Sequence, residues 1–271
     1  TFSTEGKTAT IDISDKAGNT NSCNVNKYID KTGPSCGTIS GASTTWTNQD
    51  RTIKVGCSDS LSGCTSSQAS NTFTTDAKTG SLSISDNAGN TKSCSVNVYI
   101  DKTPPEVDSF DYEYLSDHAI CNNGYTSLDA QNLSFDVRIY NARAHDVSTN
   151  GVQSGIDHFE IVLAPTYYVV DNSNTAHAIY CGEAGCLESP NRFKRVNVTN
   201  VQTTSDGYYT FPSTKASASI SNTYFGNTQK FCADWCVNIR AHDKAGNNKQ
   251  MIHSWGTGST CQKHYNNAQG Y

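Results

Sequence analysis

The chain has 271 residues, of which 17% are charged, and its formal net charge at pH 7 is −5. This balance argues against nucleic acid as a partner, because nucleic-acid-binding proteins carry a basic patch or stripe. The sequence contains no run of 18 apolar residues, so we predict no membrane span. Eleven cysteines and one methionine are typical of an extracellular or cell-surface protein, because disulfides persist in oxidising surroundings.

A gapless repeat with a spacing of 71 residues organises the first part of the chain. Residues 12–36 read DISDKAGNTNSCNVNKYIDKTGPSC, and residues 83–107 read SISDNAGNTKSCSVNVYIDKTPPEV. The register extends back to residues 1–2, which match residues 72–73. Alternating apolar residues on both sides of a Gly/Asn turn predict a β-hairpin with one buried face. The proline that follows predicts a linker, since proline cannot continue a ladder.

Residues 1–34 are predicted to be the C-terminal half of such a repeat. Ala9, Ile11 and Ile13 form its predicted inward row. Two strands alone are marginally stable, so we expect upstream strands, or a strand donated by a neighbour, to complete the domain. The partner of Cys23 would then precede the first residue, and the chain would be part of a longer repetitive protein.

Residues 35–105 are predicted to form one complete repeat. Ile53, Val55 and Cys57 share one face of its second strand. Short strands separated by turn signals, without a long helical pattern, predict an all-β fold and a small sandwich of two sheets. The predicted strands cover residues 36–40, 51–57, 64–74, 80–85 and 93–100.

Residues 106–271 are predicted to form an enlarged relative of that repeat, with an insertion over about residues 156–230. Residues 135–139 alternate in polarity as residues 53–55 do, and a third Asp-x-Ala-Gly-Asn turn follows at 243–247. This part carries the whole net charge of −5, all seven histidines and 12 of the 14 tyrosines. The first two units are therefore predicted to be spacers and the third to be specialised.

Three motifs carry a resemblance to a known family. They are Asp-x-Ala-Gly-Asn at 15–19, 86–90 and 243–247, Asp-x-x-Ser-Gly at 59–63, and Tyr-Ile-Asp-Lys-Thr-x-Pro. The chain resembles the bacterial Ig-like (Big-type) tandem domains of large cell-surface proteins and adhesins. The resemblance implies a rod of tandem immunoglobulin-like β-sandwich domains outside the cell, of which the last is enlarged by the insertion and serves as a binding head.

Four cysteines of the second unit are missing from the third unit in pairs. The replacements are Val107 for Cys36, Met251 for Cys94, Ala144 for Cys57 and Ile156 for Cys64. The paired losses predict disulfides Cys36–Cys94 and Cys57–Cys64, although four cysteines allow three connectivities. In an Ig-like sandwich the first and last strands lie side by side, which suits the first pair.

Six further cysteines belong to the third unit alone: Cys121, Cys181, Cys186, Cys232, Cys236 and Cys261. Among them, Cys181 and Cys186 are the expected local disulfide. The alternative is a zinc site that adds Cys232 and Cys236, although its spacing departs from the usual Cys-x2-Cys knuckle.

Aspartates are predicted to gather at the junctions between the units. In an Ig-like domain, the loop after the second strand, the loop before the last strand and the incoming linker meet at one end. The two predicted groups are Asp30, Asp59 and Asp86, and Asp101, Asp146 and Asp243. Three carboxylates suit Ca²⁺, which takes six to eight oxygen ligands, and the resemblance implies calcium-stiffened junctions. The alternative is that each aspartate only begins a turn by accepting backbone hydrogen bonds.

The sequence Arg-Ala-His-Asp occurs twice, at 143–146 and 240–243. His145 and His242 could therefore join the neighbouring aspartates around a transition metal. Strand alternation instead predicts that His242 points to solvent, and this is the preferred interpretation.

No catalytic activity is expected. The chain has no Gly-rich phosphate loop between a strand and a helix, and no cysteine stands in a recognised nucleophile signature. Glu160, Glu183 and Glu188 are predicted to be surface carboxylates and not a glycosidase pair. The alternative is an enzyme with a site in the 156–230 insertion.

Two non-enzymatic functions fit this organisation. In the first, the chain is an adhesin-like protein with a stalk (1–105) and a binding head (106–271), whose partners are neighbouring domains of the same chain and a host or cell-surface protein or glycan. In the second, it is a filament subunit that self-assembles by strand donation. In the first function, aromatic residues are expected to form the binding surface, and the alternative is that they pack in the core. These residues are Tyr167, Tyr168, Tyr180, Tyr208, Tyr209 and Trp255.

Overall fold

The computed structural model describes residues 1–116, 126–127, 133–170, 176–180, 194–220 and 230–253. These residues form eighteen β-strands, which pair in antiparallel sheets, and no helix. The all-β prediction is thus confirmed for the described part of the chain, in which no helix could cross a membrane. The chain divides into two compact units, Thr1–Lys102 and Thr103–Tyr271, and each is described by itself.

The first unit contains three sheets. One is the hairpin β1–β2, the second is the three-stranded sheet β3–β4–β5, and the third is the hairpin β6–β7. All five strands predicted between residues 35 and 105 are present, but the third begins at residue 68 and not at 64. The strands are β1 (Gly6–Ser14), β2 (Thr20–Ile29), β3 (Ser35–Ser40), β4 (Arg51–Ser58), β5 (Gln68–Phe73), β6 (Ala77–Ser85) and β7 (Thr91–Ile100).

A compact apolar core lies between the β3–β4–β5 sheet and the β6–β7 hairpin. The alternating residues of β4, β6 and β7 supply it, as the sequence predicts, and Phe73 packs against it. Burying each large aliphatic side chain contributes about 1.5–3 kcal/mol. The buried residues are Ile53, Val55, Leu82, Ile84, Cys94, Val96, Val98 and Ile100.

The β1–β2 hairpin has the same ladder register as the β6–β7 hairpin, but its apolar face is not covered. Ile11 lies opposite Cys23 in β1–β2, as Leu82 lies opposite Cys94 in β6–β7, and both ladders shift register near the start of their first strand. The predicted inward row of β1 is nevertheless on the surface, because Ile11 and Ile13 are exposed. The local pattern therefore formed the hairpin without burying its apolar face.

Two disulfides connect the pairs that the sequence predicts, Cys36–Cys94 and Cys57–Cys64. The expectation for the first pair is that the first and last strands lie side by side, and after β3 the amides of Ser43 and Thr47 donate to the carbonyls of Asn97 and Tyr99 in β7. Strand β3 pairs with β4 and not with β7, so the Cys36–Cys94 bond joins two sheets. Cys23 is free and exposed.

The described residues of the second unit form a five-stranded and a six-stranded sheet. In the five-stranded sheet β8, β15 and β16 pair with β10, and β14 pairs with β15. In the six-stranded sheet β12, β13 and β17 pair with β11, and β9 and β18 pair with β17. The strands are β8 (Glu106–Tyr114), β9 (Thr126–Ser127), β10 (Leu133–His145), β11 (Ile156–Val170), β12 (Ala176–Tyr180), β13 (Lys194–Val198), β14 (Gln202–Thr203), β15 (Tyr209–Thr210), β16 (Thr214–Ile220), β17 (Lys230–Asp243) and β18 (Asn248–His253).

The core of the second unit draws on both sheets. Phe135, Val137 and Ile139 of β10 are fully buried, as their alternation predicts. Strand β11, which lies at the start of the predicted insertion, adds Phe159 and Ile161 to the same cluster. This part of the insertion therefore belongs to the core, because β11 pairs with β17 along its whole length.

Candidate metal centre

Asp86 lies at the turn that joins β6 to β7, and the turn organises its carboxylate. Oδ1 accepts hydrogen bonds from the amides of Ala88 (2.9 Å) and Asn90 (2.8 Å), and Oδ2 accepts one from Asn90 Nδ2 (2.8 Å). Gly89 has a φ of 94°, which glycine adopts without steric cost. The buried carboxylate is thus fixed in position by its own turn.

Asp59 follows β4 and organises the loop that the Cys57–Cys64 disulfide closes. Its Oδ1 accepts hydrogen bonds from three successive amides, those of Leu61 (3.0 Å), Ser62 (2.9 Å) and Gly63 (2.9 Å). Within the described part of the chain, the hydrogen bonds to Asp59 all go to this one oxygen. The second oxygen is therefore available as a metal ligand.

Asp30 lies in the linker between the first hairpin and β3. Its Oδ1 accepts from the Thr32 amide and its Oδ2 from the Ser62 amide, both at 3.0 Å. The Ser62 side chain and these amides lower the pKa of Asp30, whereas burial raises it. The two amide hydrogen bonds stabilise the charged form of the carboxyl group. Asp30 is therefore ionised at neutral pH.

These three carboxylates converge although they come from a linker and two separate loops. One oxygen from each lies within 4.8 Å of one oxygen from each of the others. Ligands of one Ca²⁺, each about 2.4 Å from the ion, can be at most about 4.8 Å apart. Asn90 Nδ2 also points to the linker carbonyls of Asp30 (3.4 Å) and Thr32 (3.3 Å). The first predicted group is therefore present and can hold one hard cation.

The second predicted group spans the two units. Within the second unit, Asp146 and Asp243 offer oxygens within 4.8 Å of each other. Asp243 repeats the turn of Asp86, since its Oδ1 accepts from the amides of Ala245 (2.9 Å) and Asn247 (2.8 Å). Asp101 belongs to the first unit and is fully buried. That Asp101 joins the other two remains a prediction.

Asp15, in the first hairpin, helps to decide whether these aspartates form a metal site or only begin turns. It accepts from the amides of Ala17 (2.8 Å) and Asn19 (2.9 Å) and from Asn19 Nδ2 (2.8 Å). Hydrogen bonds from Asn19 lower the pKa of this exposed carboxyl. Among the described residues, Asp15 belongs to neither carboxylate group. Turn formation thus accounts for the hydrogen bonds but not for the convergence of Asp30, Asp59 and Asp86.

The histidines of the two Arg-Ala-His-Asp segments have different partners. His145 Nδ1 lies 2.9 Å from Asp108 Oδ2. His242 stacks on His158, with ring centroids 4.3 Å apart, and its Nε2 lies 4.0 Å from Glu160. Burial, and then the neighbouring His158, lower the pKa of His242 to about 4. The predicted solvent exposure of His242 is therefore wrong, because His158 lies opposite it in the ladder.

Glu160 is buried, which contradicts its predicted surface position. Its two oxygens each lie 3.4 Å from an arginine, Arg195 and Arg240. Burial lowers the pKa of Arg240, although Glu160 opposes this shift. The sequence alone did not predict this cluster, although Arg240 of the second Arg-Ala-His-Asp segment is one of its members. Glu183 and Glu188 lie outside the described residues.

The predicted aromatic binding surface is described only in part. The Arg143 guanidinium lies 3.5 Å from the centre of the Tyr208 ring. Tyr209 packs against the core, and burial and the charge of Asp146 raise its pKa. The structure favours core packing for Tyr209. For the others, Tyr167 and Tyr168 lie in β11, Tyr180 ends β12, and Trp255 is outside the described residues, as are Cys181 and Cys186.

Comparison with known proteins identified no relative of the chain. No family model matches the chain, and no curated protein matches it significantly in sequence. The interpretation of the carboxylate groups therefore depends on their geometry and on the internal repeat.

Proposed function

We propose that this chain is a non-enzymatic, extracellular surface protein of the adhesin type, built from tandem Ig-like sandwiches. Residues 1–105 form a calcium-stiffened stalk, and residues 106–271 carry the binding head. The observation that carries this proposal is the convergence of Asp30, Asp59 and Asp86 from a linker and two loops.

The chemistry of the carboxylate group favours calcium. All three ligands are hard oxygen donors, which Ca²⁺ prefers and which soft or nitrogen-preferring metals do not. Carboxylates that are this close repel one another, and a divalent cation relieves the repulsion without protonating any of them. The lowered pKa of Asp30 keeps this ligand charged well below neutral pH.

The position of Asp30 gives the bound cation a mechanical role. Asp30 belongs to the linker, whereas Asp59 and Asp86 belong to loops of the sandwich that follows. A cation held by all three ties the linker to two loops, and it thereby restricts the hinge motion that a free linker allows. The repeated Tyr-Ile-Asp-Lys-Thr-x-Pro motif supports the same role at successive junctions of a rod.

The second unit is the better candidate for the head. It departs from the repeat and carries the acidic excess, all the histidines and most of the tyrosines. Tyrosine supplies large contact area at low entropic cost in binding surfaces. The partner class proposed for it is a host or cell-surface protein or glycan.

Thermal unfolding of the full chain in Ca²⁺ and in a chelator tests the metal site. Extracellular calcium modules bind with Kd values of about 10⁻⁴–10⁻³ M. At about 10 mM Ca²⁺ such a site stabilises the fold by about 1.4–2.7 kcal/mol, and the Tm of the first unit should rise by roughly 5–20 °C. Asp86→Asn should abolish most of this rise, because it removes a charged ligand.

Asp15→Asn is the matched control. It makes the same change in the same turn, outside the carboxylate group. We expect this variant to keep the full calcium response. An equal Tm in calcium and chelator, or an equal loss of the calcium response in both variants, would show that the aspartates only form turns.

A further inference from the structure

The Cys57–Cys64 disulfide closes the loop that carries one of the three converging carboxylates. The two cysteines are 7 residues apart, and their Cα atoms are separated by 6.1 Å. Asp59 lies two residues after Cys57, and its Oδ1 accepts the amide hydrogen bonds of residues 61–63. Cys64 forms a β-bridge with Asp86. One covalent bond thus joins the backbone next to two of the three proposed calcium ligands.

The closed loop is also docked on the turn that carries Asp86. The Asn87 amide donates to the carbonyl oxygen of Gly63 (2.8 Å), and Asn87 Nδ2 donates to the carbonyl oxygen of Ser62 (2.9 Å). These hydrogen bonds form only if the backbone of the loop keeps this conformation. The order of the loop therefore sets its distance from the Asp86 carboxylate.

The same loop reaches the linker through one amide group. The Ser62 amide donates to Asp30 Oδ2 (3.0 Å) and to Asp59 Oδ1 (2.9 Å). A single N–H group thus lies between a ligand of the linker and a ligand of the loop. A disordered loop would release Asp30 and Asp59 from each other.

The second unit contains a corresponding loop without a disulfide. The Lys244 amide donates to the carbonyl oxygen of Gly155 (2.9 Å), so that loop is docked on its turn in the same way. Ala144 and Ile156 stand at the positions of the two cysteines, and both belong to the apolar core. Apolar packing thus takes the place of the covalent bond in the second unit, whereas the first unit uses a bond that a reductant can break.

The Cys57–Cys64 disulfide is accessible to a reductant. Both of its cysteines are partly exposed, whereas the other disulfide of the first unit has one buried member, Cys94. Exposed disulfides are the more easily reduced ones. Two molecules of a low-molecular-weight thiol, such as reduced glutathione, supply two electrons and two protons. They become one oxidised disulfide and leave two cysteine thiols in the chain.

We propose that the Cys57–Cys64 disulfide is a redox control of the calcium site. In the oxidised chain the closed loop holds Asp59 and the Ser62 amide in place before the ion binds. In the reduced chain the ion must order the loop, and this ordering lowers the affinity and loosens the linker. The inference rests on the calcium site proposed above. It makes the stalk stiff in oxidising surroundings and flexible where thiols accumulate.

The first test compares the natural full chain with the double variant Cys57→Ala and Cys64→Ile, which carries the residues of the second unit. Amide exchange of residues 61–63, followed across a calcium titration, reports the Kd of this site alone. The Kd should rise about 10-fold in the variant, within the usual range of coupling between two sites. Cys23→Ser, which removes a thiol outside the loop, should leave the Kd unchanged. An unchanged Kd in the double variant would overturn the inference.

The same exchange experiment in a chelator distinguishes a local effect from general destabilisation. Amides 61–63 should exchange at least about 10-fold faster in the double variant, because local opening of the loop no longer meets the constraint of the disulfide. The amides of Ala88 and Asn90, in the Asp86 turn, should keep their rates. Equal acceleration in the loop and in the turn would show that the bond only stabilises the whole unit, and it would contradict the inference.

The natural chain provides a second test that needs no substitution. Coupling is reciprocal, so saturating calcium should make the Cys57–Cys64 bond about 10-fold harder to reduce, which corresponds to about 30 mV. Equilibration in glutathione buffers with calcium or chelator, followed by alkylation and peptide mapping, measures this shift. Its absence would overturn the inference even if the double variant did not fold. A lack of calcium binding by the oxidised chain would instead refute the proposed function, so the two failures are distinguishable.

Discussion

The β1–β2 and β6–β7 hairpins share their backbone conformation but not their surroundings. Both ladders shift register after their first pair. Both place a tyrosine near the end of the second strand with a positive φ, 43° at Tyr28 and 52° at Tyr99. Tyr28 is 73% exposed, whereas Tyr99 packs on Trp46, with ring centroids 4.9 Å apart. Burial therefore did not dictate the shape of either hairpin.

The comparison separates two levels of folding information. The Asp-x-Ala-Gly-Asn turn satisfies its own backbone groups, so local sequence fixes the turn and the register. The apolar alternation indicates which face would be buried, but it does not supply the second sheet. A two-stranded hairpin without such a sheet is marginally stable.

The largest effect on stability is expected when a residue of one hairpin is placed at the corresponding position of the other. Val98→Lys places at a fully buried position the residue that β2 carries at Lys27. Burying an unpaired ammonium group should cost more than about 4 kcal/mol. Urea denaturation, followed by amide exchange in β6 and β7, should show the first unit largely unfolded.

The reverse exchange, Lys27→Val, is the control. We expect it to change the free energy of unfolding by less than about 0.5 kcal/mol, since the site is on the open face. Equal effects of the two exchanges would contradict the assignment of one hairpin as covered and the other as open.

The disulfide that joins the two sheets should give the next largest effect. Cys36 and Cys94 are 58 residues apart, whereas Cys57 and Cys64 are 7 apart. Loop-closure entropy predicts losses of about 4 kcal/mol and about 2–3 kcal/mol on replacing each pair with serine. Denaturant midpoints measure both. Cys23→Ser should leave the midpoint unchanged, and a clear shift would show that Cys23 already has a partner.

The third copy of the turn, between β17 and β18, extends the comparison to pH. His242 stands where the other hairpins have Ser14 and Ser85. Its pKa falls from 6.5 to about 4, so between these values the unfolded chain binds the proton more readily. The second unit should therefore be fully stable above about pH 6.5 and lose up to about 3 kcal/mol as the pH falls to about 4.

Thermal unfolding of the full chain between pH 7 and pH 4 measures this loss. His242→Gln should flatten the pH dependence of the Tm of the second unit. His145→Gln is the matched control, because that imidazole lies beside Asp108 and outside the His158–His242 stack. A pH dependence unchanged by His242→Gln would contradict the proposal that His242 causes the loss of stability at low pH.

The smallest effect on stability is expected from replacing the turn glycines, and it should be equal in the two hairpins. Gly18 and Gly89 have φ values of 90° and 94°, and a Cβ added to either would meet no atom within 4 Å. Alanine at each position should cost roughly 1 kcal/mol through backbone strain alone. Amide exchange in the two turns should accelerate by a similar factor, and a much larger effect at Gly89 would show that burial shapes the turn.

The sequence predicted the parts that local chemistry decides. The turns at Asp15, Asp86 and Asp243 follow from glycine and asparagine, and the buried rows of β4 and β10 follow from their alternation. The strand order of an Ig-like sandwich predicted that Asp30, Asp59 and Asp86 meet at one end, and their carboxylates do converge. This was possible because each of them lies in a linker or loop next to a strand end.

Other features depend on pairing between distant strands, which periodicity does not encode. His242 and Glu160 were placed on the surface, but the ladder between β11 and β17 sets His158 opposite His242 and Arg240 opposite Glu160. The exposure of Ile11 and Ile13 depends in the same way on what lies opposite their face. Alternation alone cannot distinguish a covered strand from an open one.

The bond between Cys36 and Cys94 also limits how far the protein can lengthen under tension. Cross-linked positions cannot separate, so a force applied at the two ends of the chain bypasses the residues between them. The 58-residue separation corresponds to about 200 Å of fully extended chain that stays out of the stretched length. The Cys36–Cys94 sandwich would thus transmit load as a nearly inextensible link, whereas the hairpin of residues 6–29 would yield first.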